Sequence, residues 1–224
     1  SEMCIRDSIY ALITIAIFGM WYYARYEGNF LPSPKKTFNP MMLVAIVILV
    51  PGTQFAANFI ANLTGYIRPD WLQQYNELFE TSGITDTTFV TVLYSVILAP
   101  ICEELIFRGV TMRCARKALP FALANLMQAA LFGLFHLNWI QGIYAFALGI
   151  VLGYVCECGG SIYYSIGLHL LFNLWGTLSG FFPDPGNSVV VFVIVIAVTI
   201  VSLVVGFVLF NKGRRKLPIN STGI

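Results

Sequence analysis

Apolar residues run through this chain in long blocks separated by short polar connections. The clearest block, Val189 to Phe210, is 22 residues without a charge. At 1.5 Å per residue it is long enough to cross a hydrocarbon core of about 30 Å. Working back, the same pattern predicts spans at 161–182, 139–157, 121–137, 87–112, 41–64 and 9–25. Pro51 and Pro100 interrupt two of them, which a membrane helix tolerates when its neighbours re-satisfy the backbone. Between spans, residues 66–86 mix Trp71, Tyr75, Leu78 and Phe79 with Asp70, Glu77 and Glu80, the pattern of an interfacial loop or short surface helix.

Composition sharpens this reading. Of 224 residues, 58% are hydrophobic and only 11% charged, against about 25% charged in a soluble domain. Mean hydropathy is +0.76. With 33 aromatic residues, five cysteines and a net charge of +2, disorder, a disulfide scaffold and nucleic-acid binding are excluded. The expected fold is all-α, a polytopic membrane bundle of about seven transmembrane helices. It reads as one integral membrane domain: N-terminal helices and an extracytoplasmic loop over 1–87, a core over 88–180, and a last helix with a basic tail over 181–224. Residues 1–8 lack an initiator Met, interrupt the apolar pattern and resemble adapter-derived sequence, so they carry no weight. The first span has no small-residue cleavage site and reads as a membrane helix, not a removed signal peptide. With seven spans, ten basic residues fall on one side, from Arg25 through Arg113, Arg116 and Lys117 to Lys216, and two on the other, Arg6 and Arg68. The positive-inside rule then makes the C-terminus cytoplasmic.

Ionisable groups within spans are costly and are functional candidates by default. Here they are Glu103, Glu104 and Arg108, with His136 and His169, the chain's two histidines. Adjacent helical positions point about 100° apart, so the two carboxylates are expected to face different neighbours. Glu104 and Arg108 are i,i+4 and can pair. Glu103 then lacks a local cation. Residues 113–120 form the charged tip of a helical hairpin, which places Glu103 and His136 at similar depth, roughly 13–17 Å in. His169 enters from the same side to roughly 12 Å. Both histidines fall within predicted helices, in one polar layer open towards the cytoplasm. Asn173 shares a face with His169, and Phe132, one turn before His136, can pack on its imidazole.

A carboxylate beside an imidazole in such a cavity can deprotonate a water molecule. A second imidazole and a carboxamide can donate to an oxyanion. The alternative for the same groups is a divalent metal such as zinc on Glu103, His136 and His169. No H-E-x-x-H is present and no Asp lies in a span, so classical zinc-helix and aspartyl mechanisms are excluded. Cys156-Glu157-Cys158 is weak metal evidence, and no serine follows a nucleophile turn.

Glu103-Glu104-x-x-x-Arg108, Phe132-x-x-x-His136 and His169-x-x-x-Asn173, in that order, resemble the three motifs of the CPBP intramembrane proteases. That family joins the type II CAAX prenyl endopeptidases with the bacteriocin-processing Abi group. The resemblance covers about residues 88–180. It implies an intramembrane, metalloprotease-like endopeptidase in which Glu103 and His136 activate water, His169 and Asn173 form the oxyanion site, and Glu104 and Arg108 support it, with Glu104 also contributing directly. It favours no cofactor. The implied partner is a membrane-embedded or lipidated protein or peptide in the bilayer, with no nucleic acid. The alternatives are a proton-coupled transporter using Glu103 as a relay and a non-catalytic membrane scaffold.

Overall fold

The computed structural model describes residues 2–24, 38–81, 88–179 and 188–214. They form eight helices: α1 (Glu2–Tyr22), α2 (Pro40–Ile67), α3 (Pro69–Thr81), α4 (Phe89–Ala115), α5 (Phe121–Phe135), α6 (Trp139–Gly159), α7 (Ile162–Ser179) and α8 (Val189–Arg214). The architecture is all-α, as expected, and the chain is an integral membrane protein. Among the described residues, α2, α4, α6 and α8 are each long and apolar enough to cross a membrane. The amphipathic segment after α2 is helical over Pro69–Thr81. Residues 2–8, which were discounted, continue the first helix without a break. The ends of the predicted 9–25 and 161–182 spans, and Glu80, Asp86 and Asp184 as side chains, fall outside what is described.

Local chemistry explains the helix boundaries. Asn39 caps α2 by accepting from the Met41 N–H at 2.9 Å, with Pro40 at the first helical position. Pro120 opens α5, and Gly160, at φ +66°, ends α6 in the left-handed conformation that glycine adopts without strain. Within α2, Pro51 lacks an N–H and loosens the helix. The repair comes from α8: the Ser202 hydroxyl accepts from the Gly52 N–H at 2.8 Å and donates to the Ile48 carbonyl. It thus relays the i→i−4 bond that Gly52 would otherwise make directly.

Apolar clusters hold the bundle. Met42, Leu49, Leu152, Val155, Leu168 and Phe210 join α2, α6, α7 and α8. Tyr22, Leu105, Met112 and Ile162 join α1, α4 and α7. Helices α5 and α6 pack as a hairpin at very close range. A Cβ added at Gly133 would lie 2.5 Å from the Gly142 carbonyl oxygen, so only glycine permits this approach.

The two ends of the bundle differ in charge. At one end, Arg116 pairs with Glu157 at 3.0 Å, Asn39 bonds the Gly213 carbonyl at 3.1 Å, and Arg214 reaches Cys158. Arg113, Lys117 and Lys212 belong to the same end by chain position. At the other, α3 folds back onto the start of α6, with Trp71 stacked on Trp139 at 5.3 Å and Arg68 over Trp71 at 4.3 Å. The Arg68 side chain also holds the exposed Asp70 carboxyl below its ordinary value through a 2.6 Å hydrogen bond.

Candidate active site

The site is built on an irregular helix. Along α4, ordinary α-helical turns over 99–104 are flanked by wider turns over Leu93–Leu98 and Leu105–Met112. The Ala99 N–H bonds the Tyr94 carbonyl, an i→i−5 bond that defines the wide turn. Such turns concentrate at functional sites because each shifts the register of the side chains that follow. Glu103 and Glu104 lie between the two. Apolar periodicity gave no sign of this, although Pro100 marks where regular bonding must fail.

Glu104 and Arg108 are both fully buried, and their pairing is as expected: Arg108 Nη1 donates to Glu104 Oε1 at 2.8 Å. The same oxygen accepts from His169 Nδ1 at 2.9 Å. A carboxylate held ionised by an arginine can only accept, so Nδ1 of His169 carries the proton. The ring's other nitrogen, Nε2, then faces Glu103 Oε2 at 3.6 Å. The expectation that the two carboxylates face different neighbours is therefore corrected. One imidazole presents nitrogens on two edges: Glu104 accepts from Nδ1, and Glu103 lies 3.6 Å from Nε2, beyond hydrogen-bond distance. Glu103 is 17% exposed, the more open of the two.

His136 is not inside a helix, as the 121–137 span implied, but caps α5 at the turn into α6. The cause lies in the two residues that follow. Leu137 adopts φ +52° and is 95% exposed, and Asn138 caps α6 by accepting from the Gln141 N–H at 3.0 Å. A leucine in the left-handed region costs about 1–2 kcal/mol, a strain found at functional sites. His136 Nδ1 lies 2.8 Å from the Phe132 carbonyl, which can only accept. In the neutral ring Nε2 is therefore left with its lone pair. Among the described residues no hydrogen bond or ion pair joins His136 to Glu103. The imidazole that meets Glu103 is that of His169.

Phe132 has a larger part than its expected packing on His136. Its ring meets His136 at 4.9 Å and His169 at 5.8 Å, both edge-on, and Arg108 lies over it at 4.5 Å. One aromatic ring thus separates the two imidazoles and covers the guanidinium. Asn173 donates through Nδ2 to the Ser95 carbonyl at 2.8 Å, one turn of α7 beyond His169.

Two residues of the polar layer were not singled out from the sequence. Gln128 donates to the Gly149 carbonyl at 2.9 Å and to Asn125 Oδ1 at 2.7 Å, and Arg108 Nη2 reaches the same carbonyl at 3.2 Å. Asn125, Gln128 and Phe132 follow i, i+3, i+7 spacing on α5. Polar side chains on the face of a motif residue were the available signal. Elsewhere, Glu157 of Cys156-Glu157-Cys158 is engaged by Arg116. Among the described residues no three His, Cys, Asp or Glu side chains converge to hold a metal ion. Glu103, His136 and His169 are thus not assembled as a ligand set.

Two carboxylates, an arginine and two imidazoles lie together among apolar helices, groups able to exchange protons and to bind charge. Residues 85–175 match the family model described as type II CAAX prenyl endopeptidase Rce1-like. The match supports a protease-type hydrolase and is consistent with the CPBP family, whose three motifs all fall inside it. No curated protein and no solved structure matches the chain.

Proposed function

We propose that the protein is an intramembrane endopeptidase that hydrolyses a peptide bond of a membrane-associated protein or peptide with water activated by Glu103 and histidine. The observation that carries this reading is the array Glu103···His169···Glu104···Arg108, in which a buried ion pair orients an imidazole towards a more exposed carboxylate. The Glu104 carboxylate fixes the tautomer of His169, as the Phe132 carbonyl fixes that of His136.

In the reaction, Glu103, with His136 Nε2 as second acceptor, takes a proton from water as its oxygen attacks the substrate carbonyl carbon. His169, its Nδ1–H held by Glu104, takes up a second proton at Nε2 from solvent as substrate binds, donates from that atom to the resulting oxyanion, and returns the proton to solvent when the intermediate collapses. The Asn173 amide supplies its second N–H, the first being held by Ser95. Collapse of the tetrahedral intermediate breaks the C–N bond, and the leaving amine recovers the proton from Glu103. Seven spans, α1, α2 and α4 to α8, would lay α3 along the interface. The concentration of basic residues at the Arg116–Glu157 end then makes that end, and the C-terminus, cytoplasmic.

The test is detergent-purified protein incubated with a library of tagged membrane peptides, wild type beside Glu103→Gln. Cleavage by wild type should fall about 10²–10⁴-fold in the variant with peptide binding unchanged. Equal cleavage by both would remove Glu103 from the chemistry. Ion-dependent flux in liposomes that is lost in Glu103→Gln, without cleavage, would establish the transporter alternative instead.

A further inference from the structure

The wide turn ahead of the carboxylates and the Asn173 amide meet at one backbone atom. In the bonding pattern of this turn the Ala99 N–H takes the Tyr94 carbonyl. The next bond in that register would run from residue 100 to the Ser95 carbonyl. Residue 100 is proline and has no N–H to give. Ser95 lies within a packed segment, where a carbonyl without a donor costs free energy. Its donor comes from another helix: Asn173 Nδ2, at 2.8 Å.

From this we infer that Pro100 is a positioning residue of the candidate site. By withholding its own N–H it reserves the Ser95 carbonyl for Asn173 and so locks the aim of both α4 and the amide. The inference rests on the peptidase reading and adds to it a residue and a device. Helices α4 and α7 are joined at two levels, Glu104 with His169 and, two turns earlier on α4, Ser95 with Asn173. Together with the apolar packing of Ile162 on Leu105 and Met112, two hydrogen-bonded points narrow the rotation of one helix against the other more than either alone. Among the described residues Glu103 has no hydrogen bond to hold it, so its 3.6 Å distance to His169 Nε2 depends on that rotation. The clamp also selects which edge of the Asn173 carboxamide faces the site. With one Nδ2 proton on Ser95, the second is directed rather than left to rotate.

Alanine at position 100 supplies the missing donor. Its N–H competes for the carbonyls at 95 and 96, regular α-helical bonding is favoured, and Asn173 is released. Helix propensity improves with the same substitution, and the melting temperature separates a loss of activity from a loss of fold.

The experiment compares wild type, Pro100→Ala, Asn173→Ala and the double variant by peptide cleavage. In parallel, exchange of the Asn173 side-chain amide protons is followed by NMR in protein labelled with ¹⁵N-asparagine. In Pro100→Ala, kcat should fall about 10²-fold, the scale of a displacement near 1 Å in a site, with KM within about twofold and thermal stability no lower. The double variant should be no slower than Asn173→Ala, since both substitutions break one clamp. The Asn173 amide should be protected in wild type and exchange at least about tenfold faster in Pro100→Ala. Full activity of Pro100→Ala, multiplying effects in the double variant, or unchanged amide protection would overturn the inference. If wild type cleaves nothing, the peptidase reading fails, and the exchange measurement alone decides on the clamp.

Discussion

Replacing Arg108 by alanine puts the interior electrostatics to the test. Arg108 and Glu104 both have 0% side-chain exposure, and their contact is 2.8 Å. Without the guanidinium, Glu104 keeps His169 Nδ1 as a donor but, among the described residues, no arginine or lysine beside it. Breaking a buried pair from one side costs about 3–5 kcal/mol, because an uncompensated charge remains in a low-dielectric interior. The lost contact with the Phe132 ring adds about 1 kcal/mol. Arg108 is also among the largest fully buried side chains, so its truncation leaves a cavity between α4, α5 and α6. For a chain of this length each kcal/mol lowers the melting temperature by about 2–4 °C. Arg108→Ala should therefore melt at least about 8 °C, and up to about 24 °C, below wild type, as followed by circular dichroism in detergent. The paired replacement Glu104→Gln with Arg108→Met removes both charges and should recover most of that stability while leaving the protein inactive. A melting temperature within about 2 °C of wild type for Arg108→Ala would refute the reasoning. It would mean that Glu104 is neutral or solvated, and that Arg108 belongs to the chemistry alone.

Three other outcomes are expected. Chelators should leave peptide cleavage unchanged and elemental analysis should find less than stoichiometric metal; chelation that abolishes cleavage, with zinc restoring it, would replace the proposed water activation by a metal mechanism. Gly133→Ala drives a Cβ against the Gly142 carbonyl oxygen, 2.5 Å away on a backbone that cannot yield locally. It should cost about 3 kcal/mol of stability and weaken activity through His136, three residues on. A cysteine introduced at Lys117, in a Cys114→Ser background, should resist impermeant thiol reagents applied outside intact cells; ready labelling there would invert the proposed orientation.

The sequence by itself determined that the chain is helical and lies in a membrane. Uninterrupted apolar length and scarce charge leave no other way to satisfy the backbone. It also determined the Glu104–Arg108 pair, because i,i+4 spacing is a property of one helix, and the packing of Phe132 on His136 for the same reason. What lay between helices was not legible. That His169 would serve both carboxylates depends on the rotation of α7 against α4, and no single-helix spacing encodes a relative rotation. That His136 would sit at a turn depends on where α5 stops, decided by Leu137 and Asn138 against an apolar pattern that ran on to residue 137. Gln128 and Asn125 look like ordinary membrane glue until the Gly149 carbonyl joins Gln128 to Arg108. Pro100 shows the division most plainly. The sequence states that an N–H is missing, but only the tertiary structure supplies the donor that takes its place, because Asn173 arrives from a helix more than seventy residues away.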